Sequence, residues 1–289
     1  MKTDEFILAY GADYIRSRSN PKCVALSKLT DKKYRDESEM YLAEGVKLTT
    51  EAIRYAECDC VVVSSTAAEK NERAAECAKA AKEKNIRLIV CDDAVFEKIS
   101  TEKAPQGVIC AVKYQKKLHT SENFAEWQKN KRIVMLSEVR DPGNLGTIMR
   151  TAEALGNDGV VLAGCADIYN SKTVRAAMGT LFRLPVFIAK DAVGCIGEMR
   201  SLGRRVIAAA LNENSLKLGK YDVRESDCVI IGNEGHGLDK TIIDAAGCTV
   251  MIPMAGMTES LNASSAASCI MWEYYRLTKF KKERSEAEK

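Results

Sequence analysis

Apolar residues along this chain follow two rhythms. Continuous runs of about four, such as 133–136, 159–162 and 228–231, have no polar side and read as strands buried on both faces. Elsewhere apolar residues return every three or four positions, as at Leu145, Ile148, Met149, Ala152 and Leu155, and read as a helix with one buried side. The pattern predicts strands at 39–43, 60–63, 87–91 and 108–112 in the first part of the chain, with helices at 44–56, 67–84 and 94–99. In the second part it predicts strands at 133–136, 159–162, 186–188, 205–209, 228–231 and 249–252, and helices at 145–155, 172–178, 192–202, 239–246 and 261–275. Between the two parts, 116–130 is charged, is broken at His119-Thr120-Ser121, and reads as a linker with a helical turn near 124–127. The expected organisation is a smaller α/β domain at 1–115 with a basic N-terminal extension at 1–38, the linker at 116–130, a larger α/β domain at 131–275, and a charged tail at 276–289. Strands that alternate with helices give a mostly parallel sheet covered on both faces.

Composition narrows the class. With 289 residues the chain is long enough for two cores, and 46% hydrophobic with 29% charged residues describes a globular protein. No apolar run approaches the roughly 20 residues of a membrane helix. The N-terminal MKTDEFILAYG carries acids beside a short apolar run, a poor signal peptide, so a cytoplasmic protein is expected. The eleven cysteines are scattered without a CxxC pair, and only His119 and His236 could complement them at a metal, so reduced, structural thiols and no metal are expected. Cys91, Cys110 and Cys228 fall in strand-like runs, where a thiol acts as a small hydrophobe.

A net charge of +3 excludes a polycation, but the charge is uneven. Between Tyr14 and Arg35 stand seven basic residues (Arg16, Arg18, Lys22, Lys28, Lys32, Lys33 and Arg35) against one acid, Asp31. The tail adds Arg276, Lys279, Lys281, Lys282 and Arg284. Such patches can hold phosphates or simply be solvated surface. Lys32, Lys33 and Arg35 are the candidates for contact with phosphates.

Three polar loops fall at predicted strand ends, where ligands gather in open α/β sheets. The first, DPGNLGTIMRTAEALG at 141–156, breaks the chain at Pro142-Gly143, offers Asn144 as a helix cap, and carries Thr147, Arg150 and Thr151 on one side of the helix. The second, GNEGHGL at 232–238, follows the run 229–231. Its glycines permit tight turns, and it holds one carboxylate, Glu234, and His236, either an acid-base group or a plain loop residue. It lacks the GxGxxG spacing of a dinucleotide loop, which argues against a nicotinamide-dependent oxidoreductase. The third, from Ile252, leads through Ser260 and Asn262 into a helix that begins with Ala and Ser, with Ser260 as its expected cap.

Together these stretches resemble the SpoU/TrmH family of RNA ribose 2′-O-methyltransferases. The family's first motif resembles Asn144-Leu145-Gly146 with Arg150 six residues after the Asn. The second resembles Gly232-Asn233-Glu234-Gly235, and the third Ile252-Pro253-Met254 followed by Ser260-Leu261-Asn262-Ala263-Ser264. SKTVRAAMGTLFRLPV at 171–186 is also family-like, and YLAEGVKLTTEA in the first segment resembles a small RNA substrate-binding domain, itself like certain ribosomal RNA-binding proteins. The resemblance implies a C-terminal trefoil knot, S-adenosylmethionine bound in it by Gly232, Ile252 and Leu261, a homodimer, and Arg150 as the central catalytic residue. Asn144, Glu234, Ser260 and Asn262 would assist it. A guanidinium stays charged at ordinary pH, so Arg150 suits a grip on phosphate and a developing alkoxide better than a general base. Glu234 would orient Arg150 or brace the loops. The expected substrate is structured RNA, ribosomal before transfer RNA; a catalytically silent RNA-binding homologue is the alternative.

Overall fold

The computed structural model describes residues 2–115, 118–119, 124–129, 131–212, 214–258 and 260–287. The side chains of His119 and of Lys279, Lys281, Lys282 and Arg284 in the basic tail lie outside the described set, as do parts of the expected linker. The chain divides into two compact units: Met1–Lys116 with Tyr169–Arg183, and Lys117–Ile168 with Leu184–Lys289.

The first unit is built on β1 (Asp13–Ile15), β2 (Met40–Glu44), β3 (Cys58–Ser64), β4 (Arg87–Cys91) and β5 (Val108–Lys113), in the order β1-β4-β3-β5-β2. β1, β4 and β3 run parallel, while β5 is antiparallel to both β3 and β2. Ile89, Val62, Ile109 and Phe96 are fully enclosed in its core. The expected single helix at 67–84 is two, Ser65–Lys70 and Glu72–Glu83. Asn71 divides them because its side chain accepts from the Arg73 amide, the cap geometry by which Asn competes with an uninterrupted helix. The expected basic extension at 1–38 folds into the unit through helices Thr3–Tyr10, Pro21–Lys28 and Lys32–Ser38, with Phe6, Cys23 and Leu26 buried. These elements are too short for a periodicity reading. Residues 169–183, expected inside the larger domain, belong to this unit: Tyr169 stacks on Tyr114 at 4.0 Å, Arg175 pairs with Glu102, and Arg183 pairs with Glu51.

The second unit contains β6 (Leu118–His119), β7 (Ile133–Ser137), β8 (Gly159–Ala163), β9 (Val186–Ala189), β10 (Val206–Ala209), β11 (Leu216–Lys217), β12 (Cys228–Ile231) and β13 (Thr249–Met251). They form one sheet, β11-β13-β10-β12-β7-β8-β9-β6, parallel at every pairing. Along β7, Ile133 and Met135 join one core while Val134 and Leu136 are buried on the opposite face, the two-sided burial that an unbroken apolar run demands. Helix Pro142–Ala154 packs against Ala263–Ala287, where Thr151 and Ser268 hydroxyls meet at 3.5 Å. Strand order reverses between β7 and β12, which makes their carboxyl ends a switch point of the sheet.

All eleven cysteines are free. Cys91, Cys110 and Cys228 are fully buried, and burial pushes the Cys91 and Cys228 thiols up to about 12, so both stay neutral. Among the described residues no cluster of His, Cys, Asp and Glu could hold a metal ion, and no helix is long and apolar enough to cross a membrane.

Candidate active site

β7 ends at a turn, residues 138–141, that every later feature of the site uses. Glu138 has φ +56°, a left-handed conformation costing about 1 kcal/mol or more outside glycine. Its amide donates to the Ala163 carbonyl at 2.9 Å, and the next residue, Val139, is completely buried. Asp141, not Asn144, then caps the helix: its carboxylate accepts from the Asn144 amide at 2.8 Å. Pro142 explains the shift, since a proline fits the first helical position and has no amide to leave unpaired. Asn144 therefore lies one turn inside the helix with its side chain free to reach across the site.

It reaches Glu234. The Asn144 side-chain amide donates to Glu234 Oε1 at 3.0 Å, while the backbone amides of Asp141 and Arg140 donate to Oε1 and Oε2 at 3.2 Å each. Burial raises the Glu234 carboxyl pKa, but hydrogen bonds from Asn144 and from the backbone amides of Glu234, Arg140 and Asp141 outweigh it, and the net shift is below the usual glutamate value. On its other side Asn144 Oδ1 accepts from Asn262 Nδ2 at 3.2 Å. Asn262, not Ser260, caps helix Ala263–Ala287: its Oδ1 accepts from the Ser264 amide at 2.9 Å and from the Ser264 hydroxyl at 2.6 Å. Glu234, Asn144 and Asn262 thus form one chain of hydrogen bonds that ties together the three loops singled out in the sequence.

The loop 232–238 closes on itself through paired Asn233 and Gly237 backbone bonds of 2.9 and 3.1 Å. Gly232 is required there, because a Cβ would sit 2.5 Å from the Gly237 backbone. Gly237 adopts φ +72°, the left-handed region that suits glycine.

Beyond the carboxyl ends of β10, β12 and β13 lies a cavity of about 370 Å³, within the range of small-ligand sites. Gly232, Ile252 and Leu261 all line it, as do Glu234 and Ser260. Its floor is apolar, with Ile231, Val250 and Ile270, and its rim carries Asn233 and His236. His236 stands 4.0 Å from Glu138 and 3.8 Å from Asp239. Asn144 and Asn262 do not line the cavity; Asn144 is tied to it through Glu234, and Asn262 stands between the lining residues Leu261 and Ala263. Arg150, two turns along its helix, is exposed, does not line the cavity, and makes no hydrogen bond or ion pair among the described residues.

The basic segment of the first unit differs from expectation. Arg35 is only 4% exposed and donates to the Leu29 and Thr30 carbonyls at 2.9 and 2.8 Å, so it secures a turn and cannot grip a phosphate. Lys32 and Lys33 stay exposed, paired one turn on with Asp36 at 2.5 Å and Glu37 at 4.0 Å. Lys22 pairs with Asp59 at 2.6 Å.

Sequence reasoning gave no role to Asp141, Glu138 or Asn233. Asp141 was legible, because Asp before Pro-Gly signals a helix start. The Asn233 side chain donates to the Glu138 carbonyl at 2.9 Å across 95 positions, and no local pattern announces that.

An all-parallel sheet with a cavity of ligand size beyond the carboxyl ends of β10, β12 and β13, walled by glycine-rich and strand-end loops, defines an α/β ligand-binding protein whose site is set largely by backbone. Comparison with known proteins specifies it further. The model described as the SpoU rRNA Methylase family matches residues 131–272, and that described as the MRM3-like substrate binding domain matches residues 20–110. The chain is 30% identical over 261 residues to the 23S rRNA (guanosine(2553)-2′-O)-methyltransferase RlmP of Bacillus subtilis, spanning 89% of this chain and 97% of that protein. A crystal structure of an AdoMet-bound rRNA methyltransferase from Sinorhizobium meliloti superposes with TM-score 0.79 at 30% identity, covering 92% of this chain and 98% of that one. The SpoU methyltransferase AviRb of Streptomyces viridochromogenes, in complex with AdoMet, shares the fold with TM-score 0.73 at 24% identity, over 90% of this chain and 99% of that one. The chain belongs to the SpoU rRNA methylase family.

Proposed function

We propose that this protein transfers the methyl group of S-adenosylmethionine to a ribose 2′-hydroxyl of ribosomal RNA. The observation that carries the reading is the hydrogen-bonded chain Glu234–Asn144–Asn262, which joins the wall of the cavity to the helix that presents Arg150. The apolar floor and the backbone of the strand-end loops suit an adenine and a ribose, with Gly232, Ile252 and Leu261 holding the cofactor. When bound, that cofactor supplies a sulfonium-activated methyl group. The chain's own task is alignment, worth up to roughly 7–11 kcal/mol in the best intramolecular models, and relief of the charge that develops as the hydroxyl loses its proton. Arg150, positively charged and without a protein partner among the described residues, suits the second role and a grip on the RNA phosphate. Asn144, Glu234 and Asn262 hold its helix, and Ser260 at the cavity edge orients cofactor or ribose.

The relative from Bacillus subtilis, named for 23S rRNA, favours ribosomal over transfer RNA, and with that substrate the cytoplasm is the place of action. The first unit serves as the RNA-gripping part, with Lys32 and Lys33 as contacts; exposed ion pairs such as theirs cost little to exchange for phosphate. The trefoil knot belongs to this proposal: β12 lies between β7 and β10, and β13 lies on the far side of β10, a path that accommodates one. A homodimer is proposed on the exposed Cys269 and Trp272 of helix Ala263–Ala287 together with the fully exposed Met257; sedimentation showing a monomer at all concentrations would remove it.

The test is calorimetry with S-adenosylmethionine alongside methyl transfer to ribosomal RNA by wild type and Arg150→Lys. Expected are cofactor binding by both, RNA binding by both, and a rate loss of about 10²–10³-fold in the variant, because lysine keeps the charge but not the planar fork that places a donor at the reacting oxygen. Folded wild-type protein that takes up no cofactor at millimolar concentration would overturn the proposal.

A further inference from the structure

We infer that Asn233 is a positioning residue for methyl transfer, a latch that fixes the tilt of the Arg150 helix from the cavity loop. The inference rests on the reading above that Arg150 serves the reacting oxygen. The Asn233 side chain is divided between two tasks. Its Oδ1 accepts from the amides of Gly235 at 2.8 Å and His236 at 3.4 Å, which shapes the loop itself. Its Nδ2 donates at 2.9 Å to the carbonyl of Glu138, the one residue of the 138–141 turn held in the left-handed region. The neighbouring loop residue, Glu234, grips the same turn from its other end, at the amides of Arg140 and Asp141. Buried Val139 lies between the two grips.

Two points of attachment on either side of a buried pivot fix an angle, whereas one fixes only a position. The helix begins at Pro142, and Arg150 follows eight residues later, about 12 Å along the axis at 1.5 Å per residue. A tilt of about 5° at the turn moves Arg150 by about 1 Å, and a displacement of that size can cost 10²-fold in rate. Without the Asn233 donor, the Glu138 carbonyl loses its side-chain partner and the cavity loop holds the turn through Glu234 alone, beside the backbone bonds from Glu138 to Ala163 and from Ala166 to Val139 that fix its position on the β8 side. Because Asn233 also lines the cavity, the latch transmits the state of the cofactor loop to a residue outside the cavity.

The two tasks can be separated. Asn233→Asp keeps an acceptor for the Gly235 and His236 amides and removes the donor to Glu138. Asn233→Ser keeps a shorter acceptor, removes the same donor, and adds no charge beside Glu234. Full-length wild type, both variants and Arg150→Ala are compared by calorimetry with S-adenosylmethionine and by radiolabel transfer to ribosomal RNA from cells lacking this gene. Expected for both Asn233 variants are a 10–100-fold fall in kcat, cofactor Kd within threefold of wild type, and an unchanged KM for RNA. A merely structural loosening of the loop would move cofactor Kd together with kcat. The inference is overturned if kcat stays within threefold of wild type, or if cofactor affinity falls in the same proportion as kcat. If Arg150→Ala retains wild-type kcat, the underlying assignment of Arg150 fails instead, and the two failures are told apart within one experiment.

Discussion

Replacing Glu234 with Gln keeps the shape of the side chain and removes its charge, which isolates what the carboxylate does at the junction of three loops. Glu234 accepts from Asp141 and Asn144 on one oxygen and from Arg140 on the other. A glutamine has one oxygen: turned toward Asp141 and Asn144, it sets its own NH2 against the Arg140 amide, so one bond becomes a donor–donor clash and two lose charge assistance. Hydrogen bonds to charged groups contribute about 1.5–3 kcal/mol where water is excluded. Glu234 is exposed and water replaces part of each bond, so about 1–2 kcal/mol is expected for the whole substitution. Both tryptophans, Trp127 and Trp272, lie in the second unit, so their fluorescence during urea unfolding reads the stability of the unit in question. A double-mutant cycle with Asn144→Ala should show coupling of about 0.5–1.5 kcal/mol. The pH dependence has a definite sign. Because the folded carboxyl titrates below its ordinary value, its contribution is complete above the unfolded glutamate pKa of about 4.3 and is lost as pH falls through the depressed folded value. The stability gap between wild type and Glu234→Gln is therefore full well above the unfolded pKa and narrows as pH falls below it toward the depressed folded value. A gap that persists unchanged at pH 3, or a coupling below about 0.3 kcal/mol, would refute the reasoning.

Gly232→Ala places a Cβ 2.5 Å from the Gly237 backbone and should abolish measurable cofactor binding in calorimetry while costing the second unit about 1–3 kcal/mol. Arg35→Ala should destabilise the first unit by about 2–4 kcal/mol, because two carbonyls lose a charged donor, as read by hydrogen exchange of amides in β2 and β5. Lys32→Ala with Lys33→Ala should cost less than about 0.5 kcal/mol and instead lower the salt slope of RNA binding by roughly 0.7–0.9 for each phosphate that is no longer neutralised.

The parallel sheet of the second unit was legible because strands covered on both faces can be apolar throughout, and β7 and β12 carry that pattern unbroken. The meeting of the three loops was legible only through the family resemblance, since periodicity places each at a strand end without saying which ends are neighbours. Capping was misread at both helices for one reason: each loop offers two capping residues, Asp141 and Asn144 or Ser260 and Asn262, and the residue next to the first helical position wins in each case. The release of Asn144 from that duty is what gives Glu234 a side-chain partner. Arg35 was misread because charge counts do not see burial, and its guanidinium is consumed by carbonyls five and six residues away. The short elements before β2 escaped notice because eight residues hold too few periods to register.

The passage of the chain through residues 169–183 has a practical meaning. The polypeptide leaves the first unit after Lys116, returns to it at Tyr169 and departs again after Arg183, so that unit is assembled from two stretches with about fifty residues of the other unit strung between them. An N-terminal fragment ending at 115 would lack the ring that stacks on Tyr114 and would leave Glu51 and Glu102 without their arginines. A cut in the linker alone would therefore leave the first unit still joined to the second, through the chain on either side of residues 169–183.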